Sequence, residues 1–134
     1  MTRRQARELA FILVFEKAFR DEPIADIIKD AGEARDVNAN AFAIKLAEGT
    51  VENQDEIDRL ILAHSQKWNE GRISYVAMAI LRLAVFEMKF YDDTPESVSI
   101  NEAVELAKTY GGNEDSTFVN GVLGGISRGE KSDK

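Results

Sequence analysis

An all-α fold, a compact bundle of six to seven helices, is predicted for this chain by three observations. Apolar residues recur at helical spacing through most of the sequence, no alternating apolar and polar run reads as a strand, and Pro23 and Pro95 fall between the periodic segments. At 134 residues the chain suits one domain, residues 1–134, with enough length to bury a core.

Each element has its own signal. Thr2 followed by Gln5 forms a capping box, and Arg3 to about Arg20 contains neither Gly nor Pro, so this stretch is helix one. Asp21-Glu22-Pro23 stops it. Ile24 to about Ala31 makes a short second helix ending at Gly32, and the stretch around Asn38 and Asn40 begins a third. From Ala39 to roughly Ser65, Phe42, Leu46, Ile57, Leu60 and Ile61 follow a 3.6-residue period, as one long helix or two, with Gly49 as the weak point. Arg72 to Tyr91 carries a wide apolar stripe of Ile73, Val76, Ala77, Ile80, Leu83, Ala84 and Met88. Ser99 with Glu102 reads as a capping box for the next helix, whose inward face is Ile100, Ala103, Val104, Ala107 and Tyr110 and which Gly111-Gly112 closes. Asn113, Glu114 and Asp115 supply a cap and an acidic first turn for the last helix, with Val119, Val122, Leu123 and Ile126 inside. Residues 127–134 read as a frayed tail.

Composition narrows the function. With no cysteine and one histidine, His64, the chain offers no disulfide, thiol nucleophile, thiolate metal site or His-rich metal cluster. His64 has no motif linking it to a serine or carboxylate, and reads as a surface or helix-end residue. The glycine pairs lack the context of a phosphate-binding loop, and Asp55-Glu56 and Asp92-Asp93 read as solvated faces and turns. A non-enzymatic protein without metal or cofactor is expected. The apolar run Leu9 to Phe15 is only seven residues long and no small-residue cleavage pattern follows it, which argues against a signal peptide; no stretch approaches the ~20 apolar residues of a membrane span. A cytoplasmic protein without membrane contact is expected.

The net charge of −7 argues at first against nucleic acid, but its distribution is uneven. Residues 1–20 hold five basic groups against two acidic ones, whereas residues 21–58 hold three against eleven. Arg3 and Arg4 occupy the first turn of helix one, where each opposes the helix dipole at a cost of about 0.3–1 kcal/mol. A helix start flanked by arginines suits phosphate. At about 100° per residue, Arg4, Phe11 and Phe15 fall within a narrow arc with Arg7 beside it, so phosphate contacts and base stacking could share one face. The residues by themselves leave open an RNA-binding protein and a helical protein-interaction module or homodimer.

Four blocks carry a family resemblance. Residues 3–10 (RRQARELA), 79–87 (AILRLAVFE), 100–108 (INEAVELAK) and 118–123 (FVNGVL) resemble the NusB transcription antitermination family, and the similarity spans essentially the whole chain. It implies a fold of two perpendicular three-helix-like subdomains. It implies a bacterial role in binding the boxA element of nascent RNA together with NusE, a small-subunit ribosomal protein. Other Nus factors on the RNA polymerase elongation complex would join them to suppress termination, chiefly in ribosomal RNA operons. NusB-like domains also begin ribosomal RNA cytosine methyltransferases, but 134 residues leave no room for that catalytic domain.

Carried over by position, the resemblance assigns Arg3, Arg4 and Arg7 to RNA phosphates, Phe15 to a base and Phe118 to the RNA surface, with a buried helix-start aromatic as the equal alternative for Phe118. It places Asp115 near the partner interface and gives Asn120 a role in helix packing. The chain also departs from the family pattern. Thr117 stands where a lysine is common, in a segment one residue short. Ile12 replaces a frequent glutamine, Phe15 lacks the hydroxyl of a frequent tyrosine, and Ala77-Met78 replace charged residues on the NusE-binding surface.

Overall fold

The computed structural model describes residues 2–35, 40–65, 73–91 and 93–132. Among them are seven helices and no strand: α1 (Arg3–Lys17), α2 (Ile24–Arg35), α3 (Ala41–Glu52), α4 (Gln54–Ala63), α5 (Tyr75–Phe90), α6 (Glu96–Tyr110) and α7 (Asn113–Ser132). The all-α expectation holds. Helices α1, α2 and α3 pack on one another, α6 packs on α7, and α5 lies between the two groups in contact with α1, α3, α4, α6 and α7. A single core runs through both groups, with Leu13, Ile27, Leu46, Ile57, Ile80, Leu81, Leu123 and Ile126 fully enclosed.

The N-terminal capping box forms as expected. The Gln5 N–H donates to Thr2 Oγ1 at 3.0 Å, and the Thr2 N–H donates to Gln5 Oε1 at 2.8 Å. Regular α-helix stops at Lys17, three residues early. Ala18, Phe19 and Arg20 continue as a tightened turn, donating to the carbonyls three residues behind them at 3.1, 3.0 and 3.3 Å.

Both glycines expected to interrupt helices lie inside them. The second helix runs through Gly32 to Arg35, and the break in the third segment falls at Asn53. There the Asn53 N–H and Nδ2 both donate to the Gly49 carbonyl, at 3.1 and 2.8 Å, and the Asn53 carbonyl accepts from Ile57 at 3.0 Å to start α4. Gly49 serves packing: any Cβ there would collide with the Phe86 ring. The expected start at Asn38 and the expected helix start at Arg72 lie outside the described residues, as does Asp92. Asn40 caps α3 by accepting from the Ala43 N–H at 2.7 Å, and Ser74 caps α5 by accepting from the Ala77 N–H at 2.9 Å.

The Ser99–Glu102 capping box does not form. Helix α6 begins a turn earlier, where the Pro95 carbonyl accepts from Val98 and Ser99 at 3.0 and 3.3 Å. Ser99 is therefore interior and buried, its hydroxyl without a partner, and Glu102 reaches another helix. On the expected inward face Ala103 and Ala107 are buried, whereas Tyr110 is 40% exposed. The Gly111-Gly112 closure is as expected: both N–H groups donate to the Ala107 carbonyl at 2.8 Å, and Gly112 takes a φ of 95° that favours glycine. Helix α7 buries Val119, Val122, Leu123 and Ile126, and continues past Ser127 to Ser132, where fraying was expected.

Candidate nucleic-acid interface

The rotation of α1 sends its three N-terminal arginines to three different helices. The Arg3 guanidinium lies over the Phe42 ring of α3, 3.9 Å from the centroid. Arg4 Nε and Nη2 donate to Glu102 Oε1 and Oε2 of α6 at 3.1 and 2.9 Å, while the arginine side chain stays 69% exposed. Arg7 turns inward. Its Nε donates to Glu87 Oε1 at 3.0 Å and its Nη2 to Glu87 Oε2 at 2.6 Å, in a pair enclosed between α1 and α5. The phosphate role expected for Arg7 conflicts with this placement, since its donors already face a buried carboxylate.

The charges respond accordingly. Hydrogen bonding to Glu87 raises the Arg7 pKa against the opposing effect of burial, and hydrogen bonding to Glu102 raises that of Arg4. In return, the Arg4 hydrogen bond holds the Glu102 carboxyl below its ordinary value.

Five rings form a continuous row beside these arginines. Tyr110 lies 4.9 Å from Phe11, Phe11 5.9 Å from Phe15, Phe15 5.2 Å from Phe19, and Phe19 4.8 Å from Tyr75. Phe11 is core, Phe15 is half-buried, and Phe19 and Tyr75 are 57% and 65% exposed. Phe15 therefore presents a partial ring face, while Phe11 contributes packing. Phe118 is half-buried against the core. The Tyr110 hydroxyl donates to Glu8, which ties the α6 end of the row to α1.

Beyond Tyr75 a groove of about 620 Å³ opens between Lys17 and Arg20, Asp55, Met78 and Arg82. At its margin the Ser74 hydroxyl donates to Asp115 Oδ2 at 2.9 Å, joining the start of α5 to the start of α7. Ala77 is buried and Met78 half-buried, so of this pair only Met78 reaches the groove. Asn120, expected to pack, is exposed. His64 caps α4, its Nδ1 3.0 Å from the Leu60 carbonyl, and among the described residues no acidic or histidine cluster is grouped to hold a metal.

The NusB family pattern matches residues 4–128. The chain belongs to the NusB family. It is 42% identical over 128 residues to transcription antitermination protein NusB of Acetivibrio thermocellus, covering 94% of this chain and 88% of that protein. It is 44% identical to NusB of Pelotomaculum thermopropionicum, over 94% and 89% of the two chains. NusB of T. maritima superposes with a TM-score of 0.84 at 36% identity, covering 100% and 99% of the chains. A crystal structure of the antitermination factors NusB and NusE in complex with dsRNA superposes with a TM-score of 0.82 at 29% identity, covering 96% and 98%.

Two features of this region are not announced by the sequence pattern expected for α1. The exposed Phe19–Tyr75 pair joins helices that are distant in sequence, and no local spacing announces it. The Arg7–Glu87 pair did leave a signal: Glu87 stands inside the apolar stripe of α5, next to Met88, and a carboxylate there needs a cation.

Proposed function

We propose that this NusB-family chain acts in transcription antitermination by holding boxA-type RNA jointly with NusE, as a cytoplasmic, non-enzymatic factor within the Nus complex on RNA polymerase. Arg3 and Arg4 supply phosphate contacts, Phe15 stacks on a base, and Phe118 borders the RNA path. Arg7 holds α1 on α5 so that these groups keep their places. The protein partner docks on Phe19, Tyr75 and the Asp115 margin.

The aromatic row carries the reading, because Phe15 in the RNA surface touches Phe19 in the partner surface, so occupants of both surfaces lie side by side. The solved assembly of NusB, NusE and dsRNA supports it. Arg20 is committed to Glu22 and Asp30, Arg82 to Asp58 and Lys89 to Glu96, and the chain carries a net charge of −7, so RNA binding by the isolated chain is weak and a second site of attachment adds strongly to it.

Fluorescence anisotropy with a boxA-like oligonucleotide and NusE tests the reading. Charge reversal of Arg3 and Arg4 weakens binding at least about tenfold, from the worth of charge-assisted hydrogen bonds. An unchanged titration with a folded variant would favour the protein-interaction module instead.

A further inference from the structure

Arg4 is the most exposed member of a crowded charge group. Glu102 engages it through two hydrogen bonds, and Glu8, Glu102 and Glu105 line a small recess of about 120 Å³ around it. Of these three carboxylates Glu102 alone bonds the guanidinium, while Glu8 accepts from the Tyr110 hydroxyl. Glu102 is the one whose side chain is largely covered, 18% exposed against 69% for Arg4, so the carboxylate is fixed and the cation reaches over it toward solvent. Glu105 lies farther off and pairs with Lys108 at 3.7 Å.

An RNA phosphate arriving at Arg4 must replace a bidentate carboxylate with a bidentate phosphate. The exchange returns little free energy, and the displaced Glu102 then repels the newcomer. An RNA already held at Phe15 and by a protein partner presents its phosphate at high effective concentration and overcomes this competition. An RNA held nowhere else does not.

We propose that Glu102 is a selectivity residue: by occupying Arg4 in the free protein it suppresses binding of RNA that lacks the partner, and so widens the gap between unassisted and partner-assisted binding. The inference rests on the RNA-binding reading above and adds to it a carboxylate that works against RNA.

The experiment compares wild type, Glu102→Gln, Glu102→Asp and Glu105→Gln, each with and without Arg4→Gln. A uridine oligonucleotide is used without NusE, and a boxA-like oligonucleotide with NusE. Glu105→Gln removes the same charge from the same helix without freeing Arg4, and Glu102→Asp keeps the charge but shortens its reach. Glu102→Gln is expected to bind the uridine oligonucleotide about 1.5- to 5-fold more tightly than Glu105→Gln, the range of an exposed ion pair. Its log–log salt slope steepens by about 0.7, one added phosphate contact on a single strand. Glu102→Asp gains in the same direction, Arg4→Gln abolishes both gains, and the boxA complex with NusE changes less. If Glu102→Gln matches Glu105→Gln while wild type still binds boxA RNA with NusE, the role of Glu102 is overturned and the RNA-binding reading stands. If wild type fails to bind boxA RNA even with NusE, both fall together.

Discussion

Glu87→Ala is the substitution whose consequence follows most directly from the fold. Glu87 is 2% exposed and Arg7 7%, and hydrogen bonds of 3.0 and 2.6 Å link them. Removing one partner leaves an uncompensated buried charge, at a cost of about 3–5 kcal/mol. Unfolding entropy of roughly 2.1 cal/mol/K per residue then gives a fall in melting temperature of about 11–18 °C for this chain length. Replacing both residues by methionine removes the charges as well as the bonds, and most of that loss is recovered. Thermal denaturation followed by circular dichroism reads both variants. The double variant also separates the two roles for Arg7: a positioning residue leaves the salt slope of RNA binding unchanged, whereas a phosphate ligand lowers it by about 0.7. A loss below about 1 kcal/mol in Glu87→Ala would refute the reasoning, because that is the behaviour of a solvated pair.

Other substitutions read other parts of the structure. Thr2→Ala removes the side-chain half of the capping box and costs about 0.5–2 kcal/mol in chemical denaturation, with the first turn of α1 exchanging its amide hydrogens faster. Gly49→Ala forces the Phe86 ring to move and costs about 1–3 kcal/mol, although the same change in an exposed helix would stabilise. Because Arg4 holds the Glu102 carboxyl below its ordinary 4.5, the contribution of this pair is present above that pH and is lost as pH falls through the depressed value. A carbon-detected NMR titration should place the Glu102 midpoint below 4.5, and Arg4→Gln should return it upward; a midpoint unaffected by Arg4→Gln would contradict the pairing.

What could be read from sequence was what is local. Thr2 with Gln5, the Gly111-Gly112 closure and the inner face of α7 depend on residues within one or two turns, and the structure has them as expected. Gly32 and Gly49 misled because a helical glycine costs only about 1 kcal/mol, which tertiary packing outweighs, as the close fit of Phe86 over Gly49 illustrates. The Ser99–Glu102 pattern misled because Pro95 offers an earlier start, which buries Ser99 inside the helix and leaves Glu102 to pair with Arg4. At the candidate interface, residue types and order pointed to α1, but the state of each arginine did not follow. Arg4 and Arg7 find their carboxylates 98 and 80 residues away, and helical spacing carries no record of such distant partners.

Joint binding is the central claim, and the affinity for a boxA-like RNA with and without NusE from the same organism tests it most directly. Anisotropy titrations at two or more salt concentrations should show weak binding by the chain alone and much tighter binding with NusE, both falling as salt rises. Equal affinity in the two titrations would contradict the account, since the Phe15 and Phe19–Tyr75 surfaces would then not act together.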